Sequence, residues 1–301
     1  MANTYPSGPV TMVVPFPVGG SVDTGCRALA TILSKNTGQN FLIDNKPGAT
    51  GAIGTSSVAK AKPDGYTLVC GNSDPLAANV VKFPELAYDP QTQLTPVSTI
   101  YRNTLAIFAS ADAPYKTVPE LVEYVKTHPG EMSYGTSGAG SVLNILGEMT
   151  NRDAGTDMLH IPYGGGGAAL NDLLGGNLPL VYGSAASALP HVKQGTIQVL
   201  AIFSEEPLDS LPDVPVMKDF YPALVREGWG MVETPAGTPG EIIAYLNTEI
   251  RKALESDELK QVYGSSGLIP SPSSPEDSAH LVQDEIRFWT EAKDLVDLSQ
   301  D

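Results

Sequence analysis

Strand-like apolar runs recur along the chain at short intervals, at Thr11 to Phe16, Phe41 to Asp44, Tyr66 to Cys70, Leu105 to Ala109, Met132 to Tyr134, Leu159 to Tyr163, Leu178 to Tyr182 and Ile197 to Phe203. Helix-like segments separate most of them, and that alternation restricts the fold more than any other feature. A strand, an amphipathic helix and a second strand fold as a parallel pair with the helix on one face. The chain therefore reads as α/β, with ligands expected outside the carboxyl ends of the strands. Helix starts are marked at Thr117-Val118-Pro119-Glu120 and Thr238-Pro239-Gly240-Glu241, each with Thr at the cap, Pro early and Glu at the third position. Ser274-Pro275-Glu276-Asp277 is nearly the same. Two helices close the chain, one carrying Ile242, Ile243, Leu246 and Ile250, the other Leu281, Val282, Ile286 and Trp289.

At 301 residues the chain exceeds one domain of average size. Two polar, proline-bearing segments, Leu86 to Pro96 and Glu205 to Pro222, bracket a middle third that has its own strand and helix series. This predicts two α/β lobes with a hinge between them, the second inserted into the first. A hydrophobic content of 42% supplies ample core. The net charge of -16, with only 18 Lys plus Arg, argues against nucleic acid and against adsorption to anionic lipid. Any bound anion must be met by locally placed donors. No apolar run is long enough to span a bilayer, and the start at Met1 to Pro6 lacks the basic and apolar regions of a signal peptide. A cytosolic protein and a mature exported chain with an artificial start both fit. Cys26 and Cys70 fall on a predicted helix and a predicted strand, with no Cys or His at metal-ligand spacing. They are expected as buried free thiols, a disulfide depending on a Cα distance that sequence does not supply.

Glycine-rich and hydroxyl-rich loops follow five of the strands. The first is Pro15-Phe16-Pro17-Val18-Gly19-Gly20-Ser21-Val22-Asp23, ahead of a helix with Cys26, Leu29, Ala30 and Leu33 at helical spacing. Asn45-Lys46-Pro47-Gly48-Ala49-Thr50-Gly51-Ala52-Ile53-Gly54 and Gly71-Asn72-Ser73-Asp74 follow the next two strands. In the middle block stand Tyr134-Gly135-Thr136-Ser137-Gly138-Ala139-Gly140-Ser141 and Tyr163-Gly164-Gly165-Gly166-Gly167. A helix's first turn carries N–H groups without internal acceptors and a dipole that favours negative charge, so each junction is a candidate anion site. Their convergence on a single interlobe cleft is the expectation. Asp23 is assigned to the helix start, because a carboxylate facing a bound carboxylate would repel it.

Patterns for enzymatic chemistry fail on spacing. No glycine-rich loop ends in Gly-Lys-Ser/Thr, as a P-loop requires, and Gly48, Gly51 and Gly54 are spaced three and three rather than as G-x-G-x-x-G. Gly135-Thr136-Ser137-Gly138-Ala139 approaches a nucleophile elbow but has Ala139 where the last glycine belongs. His128, His160, His191 and His280 stand apart from Cys and from paired carboxylates and are read as structural or surface residues. Trp229 and Trp289 are read as core or interlobe packing.

Taken with Asn45-Lys46-Pro47-Gly48-Ala49 and Ala61-Lys62-Pro63-Asp64-Gly65-Tyr66-Thr67-Leu68, the first loop resembles the substrate-binding proteins of the tripartite tricarboxylate transporter family, the Bug or TctC-like group. The likeness continues through Ile161-Pro162-Tyr163, Asp172-Leu173-Leu174-Gly175-Gly176, Leu189-Pro190-His191, Leu211-Pro212-Asp213-Val214-Pro215 and Pro235-Ala236-Gly237-Thr238-Pro239, covering nearly the whole chain. The resemblance implies a two-lobed, type II-like periplasmic binding protein, with residues 1–102 and 221–301 as the first lobe and 103–220 as the second. It implies a monomer without enzymatic activity, cofactor or metal, exported and here without its signal peptide. Such a protein closes over a small carboxylate and delivers it to a permease of one large and one small subunit. By the same likeness Phe16, Val18, Gly19, Gly20 and Ser21, with Thr50, Gly51 and Ala52, grip one carboxylate through backbone N–H groups and ordered water, beside Asn72 and Ser73. Ser137, Gly138, Ala139, Ser141, Tyr163, Gly164, Gly165, Gly183 and Ser184 meet the rest of the ligand. The family commonly has Asn at Ala52, His at Asn144, Lys at Gly164 and Asp at Gly183. These departures remove a cation and a partner for a ligand ammonium, which points to a dicarboxylate, hydroxy acid or aromatic carboxylate of some bulk. A sensory role, in which the closed, loaded protein docks on a receptor instead of a permease, and an α/β hydrolase or transferase are the alternatives.

Overall fold

The computed structural model describes residues 5–19 and 21–293. Contacts divide the chain into two units, one of residues up to Arg102 with Trp229–Glu291, the other of Asn103–Gly228 with the last described residues from Ala292. The first unit opens with β1 (Val10–Val14), α1 (Ser21–Thr37), β2 (Phe41–Asn45), α2 (Ala52–Ala59) and β3 (Thr67–Asn72). A π-helical turn (Asp74–Ala78), α3 (Asn79–Lys82), α4 (Pro90–Gln93) and the first half of β4 (Leu94–Ser110) follow. The second unit runs on from β4 through α5 (Val118–Thr127), β5 (Ser133–Thr136), α6 (Val142–Ala154), β6 (Leu159–Pro162) and α7 (Gly166–Leu174). It continues with β7 (Leu180–Ser184), α8 (Ala185–Lys193), β8 (Ile197–Ile202) and a 3-10 turn (Met217–Asp219). The chain returns along β9 (Glu227–Pro235) and completes the first unit with α9 (Gly240–Glu255), α10 (Asp257–Ser265), β10 (Ile269–Pro270) and α11 (Pro275–Ala292).

In the first unit β1 lies between β2 and β3, both parallel to it, and β9 runs antiparallel on the far side of β3. From β1 the chain steps outward to β2, then crosses back past β1 to form β3. The strand order therefore reverses at β1, the position where an open α/β sheet leaves a crevice at its carboxyl ends. Alternation along β1 places Val10, Met12 and Val14 in one core, with α1, α9 and α10, and Val13 in the opposite core with Val58, Val69, Leu76 and Met231. Cys26, Leu29, Ala30 and Leu33 of α1 recur at helical spacing and bury against Leu246 and Ile250 of α9. Complete burial of Leu29 and Leu33 is worth about 1.5–3 kcal/mol each.

The second unit repeats this topology around β5. Strands β6 and β7 flank it in parallel, so β5 is the reversal strand there. On the other edge of β7, β4 pairs antiparallel through Leu105–Ala109, and β8 pairs antiparallel with β4 in turn. Phe108, Leu173, Val181, Ile202 and Val216 fill the core between these strands, α7 and the β8-proximal loop.

The α/β expectation holds, and each predicted apolar run overlaps a strand. Thr117 caps α5 by accepting from the Glu120 amide, and the Asp277 amide donates to Ser274 Oγ at 3.0 Å at the start of α11. Thr238 does not cap α9. Its hydroxyl donates to Pro235 O at 2.8 Å and the cap position falls on Pro239, because the preceding turn takes the hydroxyl first. Residues 221–228 stay with the second unit, tied back by the Arg226 amide on Phe203 O at 2.6 Å and by Thr104 Oγ1 on Glu227 at 3.1 Å, so the return crossing lies at Gly228 and Trp229. Trp229 and Trp289 are core residues whose indole N–H groups both donate to Glu285, at 3.2 and 2.9 Å. The two cysteines are not free thiols. Packing of α1 over β3 sets their Cα atoms 6.0 Å apart, within bridging range, and Cys26 and Cys70 form a disulfide.

Candidate functional site

In the first unit the loops leaving β1, β2 and β3 come together at the carboxyl end of the reversal strand. Asn45 Nδ2, at the end of β2, donates to Phe16 O at 3.0 Å and to Asp23 Oδ1 at 2.8 Å. Arg27 Nη2 reaches Asp23 Oδ1 at 2.7 Å and Asn45 Oδ1 at 3.0 Å, and the Gly19 amide donates to Asp23 Oδ2 at 3.0 Å. Burial alone would raise the Asp23 carboxyl, but the Arg27 guanidinium and the Gly19 and Asn45 donors together hold it below its ordinary value. Asp23 thus organises the first loop and consumes the Gly19 amide, which is no longer available to a ligand. Val18 remains 71% exposed, with an amide that has no acceptor among the described residues. Gly20 lies outside the described residues, and Ser21 begins α1.

The second loop is a left-handed turn. Gly48, Ala49, Thr50 and Gly51 all have positive φ, at 126°, 46°, 47° and 85°. Ala49 and Thr50 carry side chains in a region that L residues seldom occupy, and each such residue stores about 1–3 kcal/mol. The turn is held by its surroundings. Gly51 N donates to Gly48 O at 3.1 Å, Ala52 N donates to Ala49 O at 2.8 Å, and the fully buried Asn79 donates Nδ2 to Thr50 O at 3.0 Å. A Cβ on Gly51 would lie 2.9 Å from Pro75 and 3.3 Å from Pro15, so the loops after β1, β2 and β3 touch at this glycine. The amides of Gly51 and Ala52 are therefore engaged within the turn. Asn72 donates Nδ2 to Asp74 Oδ2 at 3.1 Å and buries its Oδ1 without a partner among the described residues, while Ser73 is half-buried at the head of the π-helical turn.

In the second unit the loops after β5 and β6 lie side by side, the carbonyl of Tyr163 3.8 Å from where a Cβ on Gly138 would stand. Ser141 caps α6, its Oγ accepting from the Asn144 amide at 3.3 Å and donating to Gly138 O at 2.8 Å. Gly140 N donates to Asn144 Oδ1 at 3.1 Å, and Tyr163 donates its hydroxyl to Asp172 at 2.7 Å. Among the described residues the amides of Ser137, Ala139, Ser141, Gly164 and Gly165 have no acceptor, and Ser137 is exposed. At the end of β7, Gly183 packs against Phe108 and Ser184 donates to Asn103 Oδ1 at 2.6 Å. The hydroxyls of Ser141, Tyr163 and Ser184 are thus anchored within the unit. None of the second unit's three loops contributes Lys or Arg. Taken by itself, each unit leaves open a set of backbone N–H groups in loops that lead into helices, Val18 ahead of α1 in the first, and Ser137, Ala139 and Ser141 ahead of α6 with Gly164 and Gly165 ahead of α7 in the second.

Asn45, Asn79 and Asp172 hold these loops; Asn45 and Asp172 stand in stretches that carry the family resemblance without a role having been assigned to them, and Asn79 has no such signal. No group of three or more His, Cys, Asp or Glu arranged to hold a metal occurs among the described residues.

The family model for the tripartite tricarboxylate transporter family receptor matches residues 26–296. Protein BugT of Bordetella pertussis is 34% identical over 290 residues, covering 96% of this chain and 89% of that protein. A solved R. palustris protein with adipate superimposes with a TM-score of 0.81 at 32% identity, covering 97% of this chain and 98% of its own. MatC from Rhodopseudomonas palustris with bound malate gives 0.77 at 31%, covering 96% and 99%.

Proposed function

Because the chain belongs to the tripartite tricarboxylate transporter receptor family, a family of periplasmic solute-binding proteins and not of enzymes, we propose that it captures a small carboxylate for a transporter of that type. The observation that carries this reading is that each unit has, after its reversal strand, amides without an acceptor among the described residues: Val18 after β1, and Ser137, Ala139 and Ser141 after β5. Open N–H groups in loops that lead into helices bind a carboxylate without a side-chain cation, directly or through a bridging water. Glycines at 164–167, where an added Cβ would meet nothing within 4 Å, leave room for a ligand body larger than succinate. Adipate and malate, held by the two solved relatives, set the chemical range: dicarboxylates and hydroxy acids, with aromatic carboxylates also admitted by that room. The Cys26–Cys70 disulfide supports an oxidising compartment. Delivery to a permease of one large and one small subunit completes the proposal.

Titration calorimetry with adipate, malate and benzoate, and with putrescine as a cationic control, tests the reading. Saturable binding of at least one carboxylate and none of putrescine is expected. Binding of the amine alone refutes it.

A further inference from the structure

We propose that His160, on β6, is a positioning residue for the loop after β5: a hydrogen on its Nε2 makes Thr136 a donor, and Thr136 then fixes Gly138. Proton count fixes the direction of each bond at Thr136. Thr136 is fully buried, and its Oγ1 has three neighbours: His160 Nε2 at 2.8 Å, Gly138 O at 2.9 Å and Gly138 N at 3.3 Å. A hydroxyl has one proton and can accept twice. Gly138 O can only accept, so the Thr136 proton must lie toward it. The Gly138 amide and His160 must then both donate to Thr136 Oγ1.

The opposite assignment fails. Were Thr136 to donate to an unprotonated Nε2, two oxygens would face each other at 2.9 Å with no hydrogen between them from that side. The ring is held for this task by its strand register. His160 stands directly opposite Tyr134 across the parallel β5–β6 pair, the two rings 5.1 Å apart, which aims Nε2 along the sheet at Thr136. Partial burial lowers the imidazole pKa and keeps the ring neutral, so the single hydrogen defines a tautomer.

The relay ends at the candidate donors. Gly138 O accepts from both Thr136 Oγ1 and Ser141 Oγ, pinning a residue with φ of 153° between the amides of Ser137 and Ala139. Those amides can face a ligand only while Gly138 is so held. The effect on ligand rests on the carboxylate reading above, whereas the loop geometry and the tautomer do not.

Nitrogen-15 spectra of the imidazoles in the intact protein at neutral pH test the proposal directly. A neutral ring protonated at Nε2 is expected for His160; protonation at Nδ1 alone overturns the proposal. His160→Phe is expected to speed amide exchange at Gly138 and Gly140 about tenfold and to weaken adipate or malate binding by about the same factor, the scale of one hydrogen bond. His160→Gln, which restores an N–H at the Nε2 position, should recover most of both. Unchanged exchange in His160→Phe, in a protein with wild-type circular dichroism, overturns the proposal. If the wild type binds no carboxylate, the functional reading fails alone, and the tautomer and exchange results still decide the role of His160.

Discussion

Replacing Cys26 and Cys70 together by alanine removes a cross-link between the helix that follows the first candidate loop and the strand that precedes the third. The bridge closes a loop with a sequence separation of 44. Chain-entropy scaling assigns a closure of that length about 4 kcal/mol of stabilisation through the unfolded state. Alanine is chosen over serine because both sulfurs are fully buried in the apolar core around α1, where two hydroxyls without partners would add a separate penalty. For a unit of this size each kcal/mol shifts the melting temperature by about 2–4 °C, so a fall of about 8–16 °C is expected. Scanning calorimetry of the oxidised wild type and the double variant measures it. Carboxylate affinity should fall as well, since Cys26 lies in the second turn of α1 and Cys70 immediately precedes Gly71 and Asn72. A variant that melts within about 2 °C of the wild type would falsify the claim that this bridge supports the first unit.

Glu233 lies opposite Val69 in the β3–β9 pair, with both carboxylate oxygens buried and without a hydrogen-bond partner among the described residues, and burial pushes its pKa up from 4.5 to about 8. The folded state therefore retains a proton that the unfolded chain has released, and wild-type stability should decline as pH rises from about 4.5 to about 8, by roughly 5 kcal/mol, and level off above. Urea unfolding at several pH values should show this slope in the wild type and not in Glu233→Gln. Gly164 is exposed and an added Cβ there meets nothing within 4 Å, so Gly164→Lys should leave the melting temperature unchanged and tighten dicarboxylate binding about fivefold by calorimetry, the upper range for an exposed ion pair. Gly183→Asp should behave oppositely: its Cβ would stand 2.8 Å from the Phe108 ring, and overpacking of this kind lowers stability by about 1–3 kcal/mol, seen as a lower urea midpoint.

The fold was legible wherever burial follows a local period. Val10, Met12 and Val14 face one core and Val13 the other, so β1 announces itself in five residues. Thr117 and Ser274 mark helix starts because a cap requires only residues a few positions away. β9 was not legible. Gly228, Gly230 and Glu233 interrupt its apolar pattern, and the segment becomes a strand only by pairing with β3, far away in the chain. The disulfide was hidden for the same reason, since it depends on how α1 lies over β3. In the candidate site the glycine loops were visible, but the state of each donor was not. Whether the Gly19 amide is open depends on Asp23, and the shape of the turn at Thr50 depends on Asn79, a contact across 29 residues.

That dependence bears on the proposed carboxylate capture, because the chain has a net charge of -16. Its long-range field opposes the approach of a carboxylate, and ionic strength screens that field over about 10 Å. Attraction must therefore come from dipoles that act at contact. Dipoles are effective only when they are aimed, since in water a free N–H is already satisfied and reorienting it costs what the ligand would gain. Each unit meets this condition by using up the donors that could wander. Gly19, Gly51, Ala52, Gly138 and Gly140 are bonded inside the protein, while the neighbouring Val18, Ser137 and Ala139 keep amides without an acceptor among the described residues. Strain in Ala49 and Thr50 has the same origin: a buried Asn79 holds a turn that the chain alone would not keep, so the turn's shape exists before any ligand arrives.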